Sequence, residues 1–260
     1  PGTYSLYPKR HDEWVAYKVL LDQDPKIKAD IIVLVADASN LKRNLLFCSQ
    51  IIDLKRPVVI ALTMMDIAKK NNIQLDVAGL ERELGVLVIP VNPRKNKGIS
   101  QLKRAIIQTS ESMHLIPDRE FINMEPIASE AIRKVQHIFP EVSNYRAVHY
   151  LINHESFTLS DEHQDAIENI EVETKFNSTK TQAEEILQRY GKIKTIMKQT
   201  VVEADPLQKA LFTQKMDDIL LHRTWGYLIL LAVLFLLFQS VFVIAQFPMN
   251  GIEWTFAEAG

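Results

Sequence analysis

Three short apolar segments rich in β-branched residues constrain the fold of this chain more than any other feature. They lie at 29–39 (ADIIVLVADAS), 58–63 (VVIALT) and 85–91 (GVLVIPV). This pattern is typical of strands buried on both faces of a sheet. Helical patterns alternate with them, at 12–23, 40–55, 66–72, 76–84 and 99–113. The alternation predicts an α/β fold with a parallel sheet and right-handed crossovers.

The loops that follow the carboxyl ends of parallel strands share one edge of a sheet, where ligands of α/β proteins bind. Here those loops are 37–40, 63–66 and 91–97. Asp66 is the most informative residue among them, because its two carboxylate oxygens match two adjacent N–H donors on a planar ligand such as guanine. An isolated aspartate after a strand is more often a helix cap. The guanine interpretation therefore depends on the other residues along the edge.

From about Pro117 the strand pattern gives way to helical periodicity, at 126–139, 145–154 and 161–199. These segments predict an all-helical domain over 118–203, with Gly191 as a candidate kink in its last helix. The next segment, 204–224, has the pattern of a linker helix and carries Pro206 in its first turn.

Residues 225–247 (WGYLILLAVLFLLFQSVFVIAQF) carry no charge. As a helix they extend roughly 35 Å, enough to cross the hydrocarbon core of a membrane. The alternative is a buried core helix, but such helices usually have a polar face. Basic residues precede this segment, and none follows it before Gly260. The positive-inside rule therefore predicts that 1–224 are cytoplasmic and that 248–260 begin a periplasmic segment.

Composition excludes several other classes of function. The formal net charge is −2, so no basic field favours nucleic acid. The single Cys48 excludes an intrachain disulfide and a multi-cysteine metal cluster. His149 and His154 lie five residues apart and do not form the i, i+4 pair of a helical zinc site. Surface positions are expected for both histidines, and no metal ligand is assigned.

Five segments together resemble one protein family. They are PGTYSL at the start, VADASNLKRNL (35–45), ALTMMDIAKKNNI (61–73), IPVNPRKNKGI (89–99) and RTWGYLILLAVLFLLFQ (223–239). In order and spacing they resemble the bacterial ferrous iron transport protein B family, from the second switch of its GTPase domain to its first membrane span. The resemblance implies a truncated Ras-like P-loop GTPase domain over 1–117, then a helical regulatory domain, then a transmembrane helix.

The resemblance also implies the nucleotide-binding residues, in three segments: Pro1 and Gly2; Thr63, Met64, Met65 and Asp66; and Asn92, Pro93 and Arg94. In the family, the first segment ends the D-x-P-G motif, whose backbone N–H senses the γ-phosphate. The second matches the N-x-x-D guanine motif and keeps Asp66 as the specificity carboxylate. The third matches the Ser-Ala-Arg loop, which backs the base through a backbone N–H.

Two positions depart from the family pattern. Thr63 stands where asparagine is usual and offers one short hydroxyl, so the loss of one hydrogen bond is expected to cost about 1 kcal/mol. Pro93 has no N–H to offer the base. The phosphate-binding loop, the Mg²⁺ ligands and the first switch are expected upstream of Pro1. No catalytic residue is therefore assigned, and this chain alone is expected to be inactive.

The resulting hypothesis is the GTP-binding cytoplasmic region of a ferrous-iron transporter of the bacterial inner membrane. GTP or GDP with Mg²⁺ is the implied cofactor, Fe²⁺ is the transported substrate, and GTP binding and hydrolysis are coupled to uptake. The implied partners are guanine nucleotide, the membrane and the rest of the membrane domain; a homo-oligomer is compatible, and nucleic acid is not expected. One alternative is a degenerate, non-hydrolytic switch or tether that regulates a transporter. Another is a membrane-anchored GTPase of a different family.

Overall fold

The computed structural model describes residues 2–21, 29–111, 120–203, 220, 222 and 226–240. The chain divides into two compact units, Pro1–Ala204 and Asp205–Gly260. The first unit holds the sheet and most of the helices. In the second unit, residues 226–240 are helical.

A three-stranded parallel sheet forms the centre of the first unit. Its strands are β1 (Ile32–Asp37), β2 (Val58–Thr63) and β4 (Leu87–Pro90), in the order β1-β2-β4. The helices around them are α1 (His11–Leu21), α2 (Leu41–Asp53), α3 (Met65–Lys70), α4 (Val77–Leu84) and α5 (Ile99–Glu111). The predicted parallel sheet with helical crossovers is therefore confirmed.

The outermost described strand, β1, differs from the prediction of burial on both faces. Ile32, Leu34 and Ala36 are buried, but Val33 is 38% exposed and Val35 is 70% exposed. Among the described strands, β1 pairs only with β2. Successive side chains point to opposite faces of a sheet, so this alternation marks a strand that is covered on one face. An apolar cavity of about 540 Å³ lies beside Val33 and Val35.

Four helices follow the sheet: α6 (Glu125–Ile138), α7 (Asn144–Asn153), α8 (Asp161–Thr174) and α9 (Ser178–Thr200). The stretch predicted as one helix over 161–199 is two helices. Lys175 ends α8 in the left-handed conformation (φ 49°), and the side chain of Asn177 caps α9 by accepting a hydrogen bond from Lys180 N at 2.8 Å. Gly191, the predicted kink, lies inside the continuous α9.

A second, two-stranded sheet was not predicted. Strand β3 (Ile73–Leu75) pairs antiparallel with β5 (Val201–Glu203), the strand that directly follows α9. The end of the helical region is thereby joined to the segment that follows α3 through backbone hydrogen bonds.

The predicted linker and membrane segments fall mostly beyond the described residues. Residues 204–219, 241–247 and 248–260 lie outside them, as does Trp225. In the described part of the chain, no helix is both long enough and apolar enough to cross a membrane.

Candidate guanine-nucleotide site

The carboxyl ends of β1 and β2 begin the candidate site. Asp37 and Thr63 are register partners there. Asp37 turns inward on its own loop, since its Oδ1 accepts hydrogen bonds from Ser39 N at 2.8 Å and from Ser39 Oγ at 2.7 Å. The Thr63 hydroxyl donates to the carbonyl oxygen of Ala36 at 3.1 Å. The hydroxyl proton of Thr63 is thus used in a hydrogen bond that joins the end of β2 to the end of β1.

The turn after β2 brings Asp66 to the surface. Met64 adopts the left-handed conformation (φ 58°, ψ 27°) and occupies the N-cap position of α3, so the chain reverses within one residue. Asp66 then lies in the first helical turn and is exposed. Its Oδ1 accepts a hydrogen bond from Ile67 N at 3.1 Å. The carboxylate therefore faces solvent from a helix start whose backbone fixes its direction, next to the half-exposed Met64.

The loop after β4 runs beside this turn. Val91 N donates to the carbonyl oxygen of Leu62 at 2.8 Å, so the chain leaves β4 directly next to the end of β2. Asn92 and Lys97 then bond to each other through their backbones, Asn92 N to Lys97 O at 2.9 Å and Lys97 N to Asn92 O at 3.1 Å. We name residues 92–98 the base loop. The structure thus brings Asp66 and the base loop to one edge of the sheet.

The polar groups of the base loop are largely committed to its own shape. The side chain of Asn92 accepts a hydrogen bond from Lys95 N at 3.1 Å and so caps the 3-10 turn Pro93–Lys95. Gly98 closes the loop with φ +80°, and a Cβ added there would lie 2.2 Å from the carbonyl oxygen of Pro90. Arg94 is exposed.

The remaining predicted site residues lie at the start of the chain. Pro1 is outside the described residues. Gly2 is exposed, and a Cβ added to it would meet no atom within 4 Å. The segment after Gly2 is anchored at Leu6, whose N–H donates to Oε1 of Gln50 on α2 at 2.8 Å.

Gln50 leads into a buried ionic network that the sequence did not predict. Its Nε2 donates to Glu185 Oε1 at 3.3 Å. Arg189 on α9 binds Glu185 through Nε and lies 2.7 Å from Asp53 on α2, measured from Nη1 to Oδ2. Arg189, Glu185 and Asp53 are all buried. The network joins α2, which follows β1, to α9, which leads into β5.

Burial and neighbouring charges act together on the pKa values of Asp53 and Arg189 in this network. It raises the pKa of Asp53, although Arg189 and the Phe121 N–H favour the charged carboxylate. Burial lowers the pKa of Arg189, but Tyr145, Glu185 and Asp53 together raise it above its ordinary value. Arg189 is therefore a permanent cation that holds two carboxylates away from water.

His149 is buried rather than at the surface, so the expected surface position was wrong. Its Nδ1 lies 3.2 Å from the hydroxyl of Tyr17, and it packs against the rings of Tyr7 and Tyr145. Burial, followed by the nearby Arg189, lowers its pKa to about 3. The imidazole is therefore neutral at physiological pH.

His154 is mostly buried and belongs to a different cluster. Its ring nitrogens lie 3.4 Å from Glu168 Oε1 and 3.3 Å from Glu171 Oε1 on α8, so its predicted surface position was also wrong. Across the described ranges of the chain, no group of three or more His, Cys, Asp or Glu side chains could hold a metal ion.

Comparison with known proteins points to one family. Residues 1–106 match the sequence model of a family described as Ferrous iron transport protein B. A relative named Fe(2+) transporter FeoB, from Leptospira interrogans, is 31% identical over 268 residues. That alignment covers 97% of this chain and 37% of the relative. This chain therefore spans little more than a third of that protein's length.

Solved structures give the same fold. The cytosolic domain of L. pneumophila FeoB is 29% identical, with a TM-score of 0.60 and 78% of each chain covered. The mGMPPNP-bound NFeoB from S. thermophilus is 26% identical, with a TM-score of 0.59 and 79% of each chain covered. These similarities confirm the predicted α/β G-domain fold. Residues 1–106 of this chain therefore belong to the N-terminal G-domain family of ferrous iron transport protein B.

Proposed function

We propose that this chain is the cytoplasmic region, with the first membrane span, of a ferrous-iron transporter of the bacterial inner membrane. It binds guanine nucleotide, and GTP binding and hydrolysis are coupled to Fe²⁺ uptake by the intact protein. The observation that carries the proposal is the exposed carboxylate of Asp66, fixed in the first turn of α3 beside the base loop. The relatives named Fe(2+) transporter and the nucleotide-bound S. thermophilus structure support it.

The proposed recognition chemistry follows from the donors and acceptors at this edge. Guanine presents two adjacent N–H donors, and the two oxygens of Asp66 accept both. The Thr63 hydroxyl donates its proton to Ala36 O, so Thr63 assists by holding the end of β2 in place. The base loop covers the base from the other side, through Asn92, Pro93 and Arg94. Met64 and Met65 fix the turn between Thr63 and Asp66.

The phosphate end of the nucleotide is proposed to depend on residues upstream of Pro1. The resemblance begins at the second switch, and Pro1 and Gly2 are its γ-phosphate sensor. A phosphate-binding loop and Mg²⁺ ligands upstream would supply the charge stabilisation that phosphoryl transfer needs. The edge of β1 and the adjoining apolar cavity leave room for a further strand on that side. This chain alone is accordingly proposed to be inactive in hydrolysis.

We propose the following division of the chain: a GTPase part over 1–117, a helical regulatory part over 118–203, a linker helix over 204–224, a membrane span over 225–247 and a periplasmic start over 248–260. The helix over 226–240 supports the span, because Leu231, Phe235 and Phe238 are exposed on it. Side chains of that size are expected against lipid rather than water.

Comparison of the affinities for guanine and xanthine nucleotides tests the recognition proposal. In the full-length protein, Asp66→Asn should weaken GTP binding and strengthen binding of the xanthine nucleotide, because the amide can donate to the xanthine 2-oxygen. Asp161→Asn is the matched control, since Asp161 also lies in the first turn of a helix and is exposed. Thr63→Asn should tighten GTP binding about fivefold, the effect of about 1 kcal/mol. An Asp66→Asn protein that keeps the wild-type preference for GTP over the xanthine nucleotide would refute guanine recognition by Asp66.

A non-hydrolytic switch is the second candidate function. Two observations favour it: Pro93 lacks the N–H that would meet the base, and the Thr63 hydroxyl already donates to Ala36 O. This alternative predicts GTP binding without turnover in the full-length protein. Single-turnover measurement of bound GTP separates the two functions, because the transporter hypothesis requires that the γ-phosphate be released.

A further inference from the structure

The small sheet β3–β5 connects the segment that follows the proposed guanine site to the end of the proposed helical regulatory part. Strand β3 begins at Ile73, shortly after Asp66 and α3. Strand β5 ends at Glu203, and the proposed linker and membrane span follow it in the sequence. The register pairs Ile73 with Glu203, Gln74 with Val202, and Leu75 with Val201.

The path from Asp66 to β3 is short and well bonded. At the end of α3, Asn71 N donates to Ile67 O at 2.9 Å and Asn72 N donates to Lys69 O at 3.0 Å. Asn72 adopts the left-handed conformation (φ 58°) and turns the chain directly into Ile73. A displacement of β3 is therefore transmitted to α3, and hence to Asp66, without a flexible segment between them.

The other end of β3 is fixed to the junction of α9 and β5. Asp76 N donates to Thr200 O at 2.8 Å, and Asp76 Oδ1 accepts from Gly79 N at 2.9 Å. Thr200 is buried, and a Cβ added to Gly79 would lie 3.3 Å from its Cγ2. The start of α4 thus packs closely on the last turn of α9.

This sheet is the kind of element that two sites can bias. Each strand has three residues, so few ladder hydrogen bonds hold the pair together, and Ile73, Leu75 and Val201 pack only partly against the core. Val202 is 65% exposed, so separating the strands at that position costs little apolar burial. Few contacts therefore have to change for the strands to separate, and an element of this kind can couple two sites that each favour a different pairing state.

We propose that pairing of β3 with β5 couples the guanine site to the chain that enters the membrane. Nucleotide held by Asp66 orders α3 and β3 and favours pairing. Displacement of β5 by the linker separates the strands, loosens α3 and releases the nucleotide. The effect is reciprocal, so nucleotide also increases the protection of β5. This inference rests on the proposed guanine site and adds a route through the base end of the nucleotide.

The ladder geometry supplies a sharp perturbation. Hydrogen-bonded pairs alternate along an antiparallel ladder, and Asp76 bonds to Thr200, so Gln74 and Val202 form the next bonded pair. Val202→Pro removes a ladder donor. Val202→Thr keeps that donor with a side chain of similar shape. Glu203→Pro is the matched proline control, because position 203 falls in a non-hydrogen-bonded pair.

The assay is dissociation of fluorescently labelled GDP from the full-length protein in nanodiscs. Val202→Pro should accelerate dissociation about two- to tenfold, the effect of losing one backbone hydrogen bond, whereas Val202→Thr and Glu203→Pro should match wild type. Equal rates for Val202→Pro and Val202→Thr would overturn the coupling. A wild-type protein that shows no preference for guanine would instead overturn the proposed function, so the two failures are distinguishable.

A cross-link keeps the proposal testable if Val202→Pro does not fold. The double variant Gln74→Cys with Val202→Cys places two thiols at a bonded pair, where the Cα separation of about 5.5 Å suits a disulfide. Oxidation should slow GDP dissociation, and reduction should restore the wild-type rate. The slowing should vanish when Asp66→Ala is added. Identical rates before and after reduction would refute the coupling.

Discussion

The buried imidazole of His149 makes the stability of this fold depend on pH. The ring lies between Tyr7 and Tyr145, and the hydroxyl of Tyr17 lies 3.2 Å from its Nδ1. Asn153 donates to the oxygen of Tyr17 at 3.0 Å, so the Tyr17 proton is available to His149. Burial and two arginines, Arg189 and Arg146, lower the pKa of His149 from 6.5 to about 3.

The sign and the size of the effect follow from linkage. The folded state keeps His149 neutral down to about pH 3, whereas the unfolded chain takes up a proton near pH 6.5. Between these values the unfolded state binds more protons, so stability falls as pH falls. Each pKa unit is worth about 1.36 kcal/mol, so this residue alone should reduce the free energy of unfolding by about 2 kcal/mol between pH 7.5 and pH 5.

Urea unfolding of the full-length protein, followed by pulse proteolysis, measures this effect. His149→Gln should be less stable than wild type at pH 7.5 but should lose about 2 kcal/mol less on going to pH 5. His163→Gln is the control, because His163 is exposed. Burial raises the pKa of Asp53, so this residue makes the fold more stable as pH falls. That contribution is the same in all three proteins and cancels when their pH dependences are compared. The same pH dependence in wild type and His149→Gln would refute the reasoning.

Two further variants test the packing around the site. Arg189→Met leaves Asp53 and Glu185 buried without a cation and should destabilise the fold by about 3–5 kcal/mol; adding Asp53→Asn should recover part of that loss in the same urea assay. Gly98→Ala forces a side chain onto a residue with φ +80° and against Pro90 O, and should cost about 1–3 kcal/mol and weaken GDP binding. The matched control is Gly191→Ala, where an added Cβ meets no atom within 4 Å. Because alanine is favoured over glycine inside a helix, this variant should be more stable than wild type by about 0.5–1 kcal/mol.

Local patterns were sufficient to predict the parallel sheet and most helix boundaries. Strand β2 spans Val58–Thr63 as predicted, and the helix predicted at 126–139 spans Glu125–Ile138. The break between α8 and α9 was missed because no glycine or proline marks it. Lys175 adopts the left-handed conformation, and the only signal was Asn177, a good N-cap residue, before Ser178.

Features that depend on distant partners could not be predicted from local patterns. Strands β3 and β5 have three residues each, too few for a periodic signal, and they are far apart in the sequence. His149 was expected at the surface because nothing near it in sequence identifies Tyr17 as its partner across the fold. Val35 was expected to be buried, because a β-branched pattern does not reveal whether both faces of a strand are covered.

Thr63 shows how the predicted site and the observed contacts combine. An asparagine at this position has both a donor amide and an acceptor oxygen, so it can hold neighbouring loops and contact the purine together. Threonine has one proton, and here that proton is donated to Ala36 O. Loop positioning is therefore kept, while a donor to the base is lost. In the proposed site, recognition of guanine then depends on Asp66, and the affinity that Thr63 does not provide is expected to come from contacts to the phosphates.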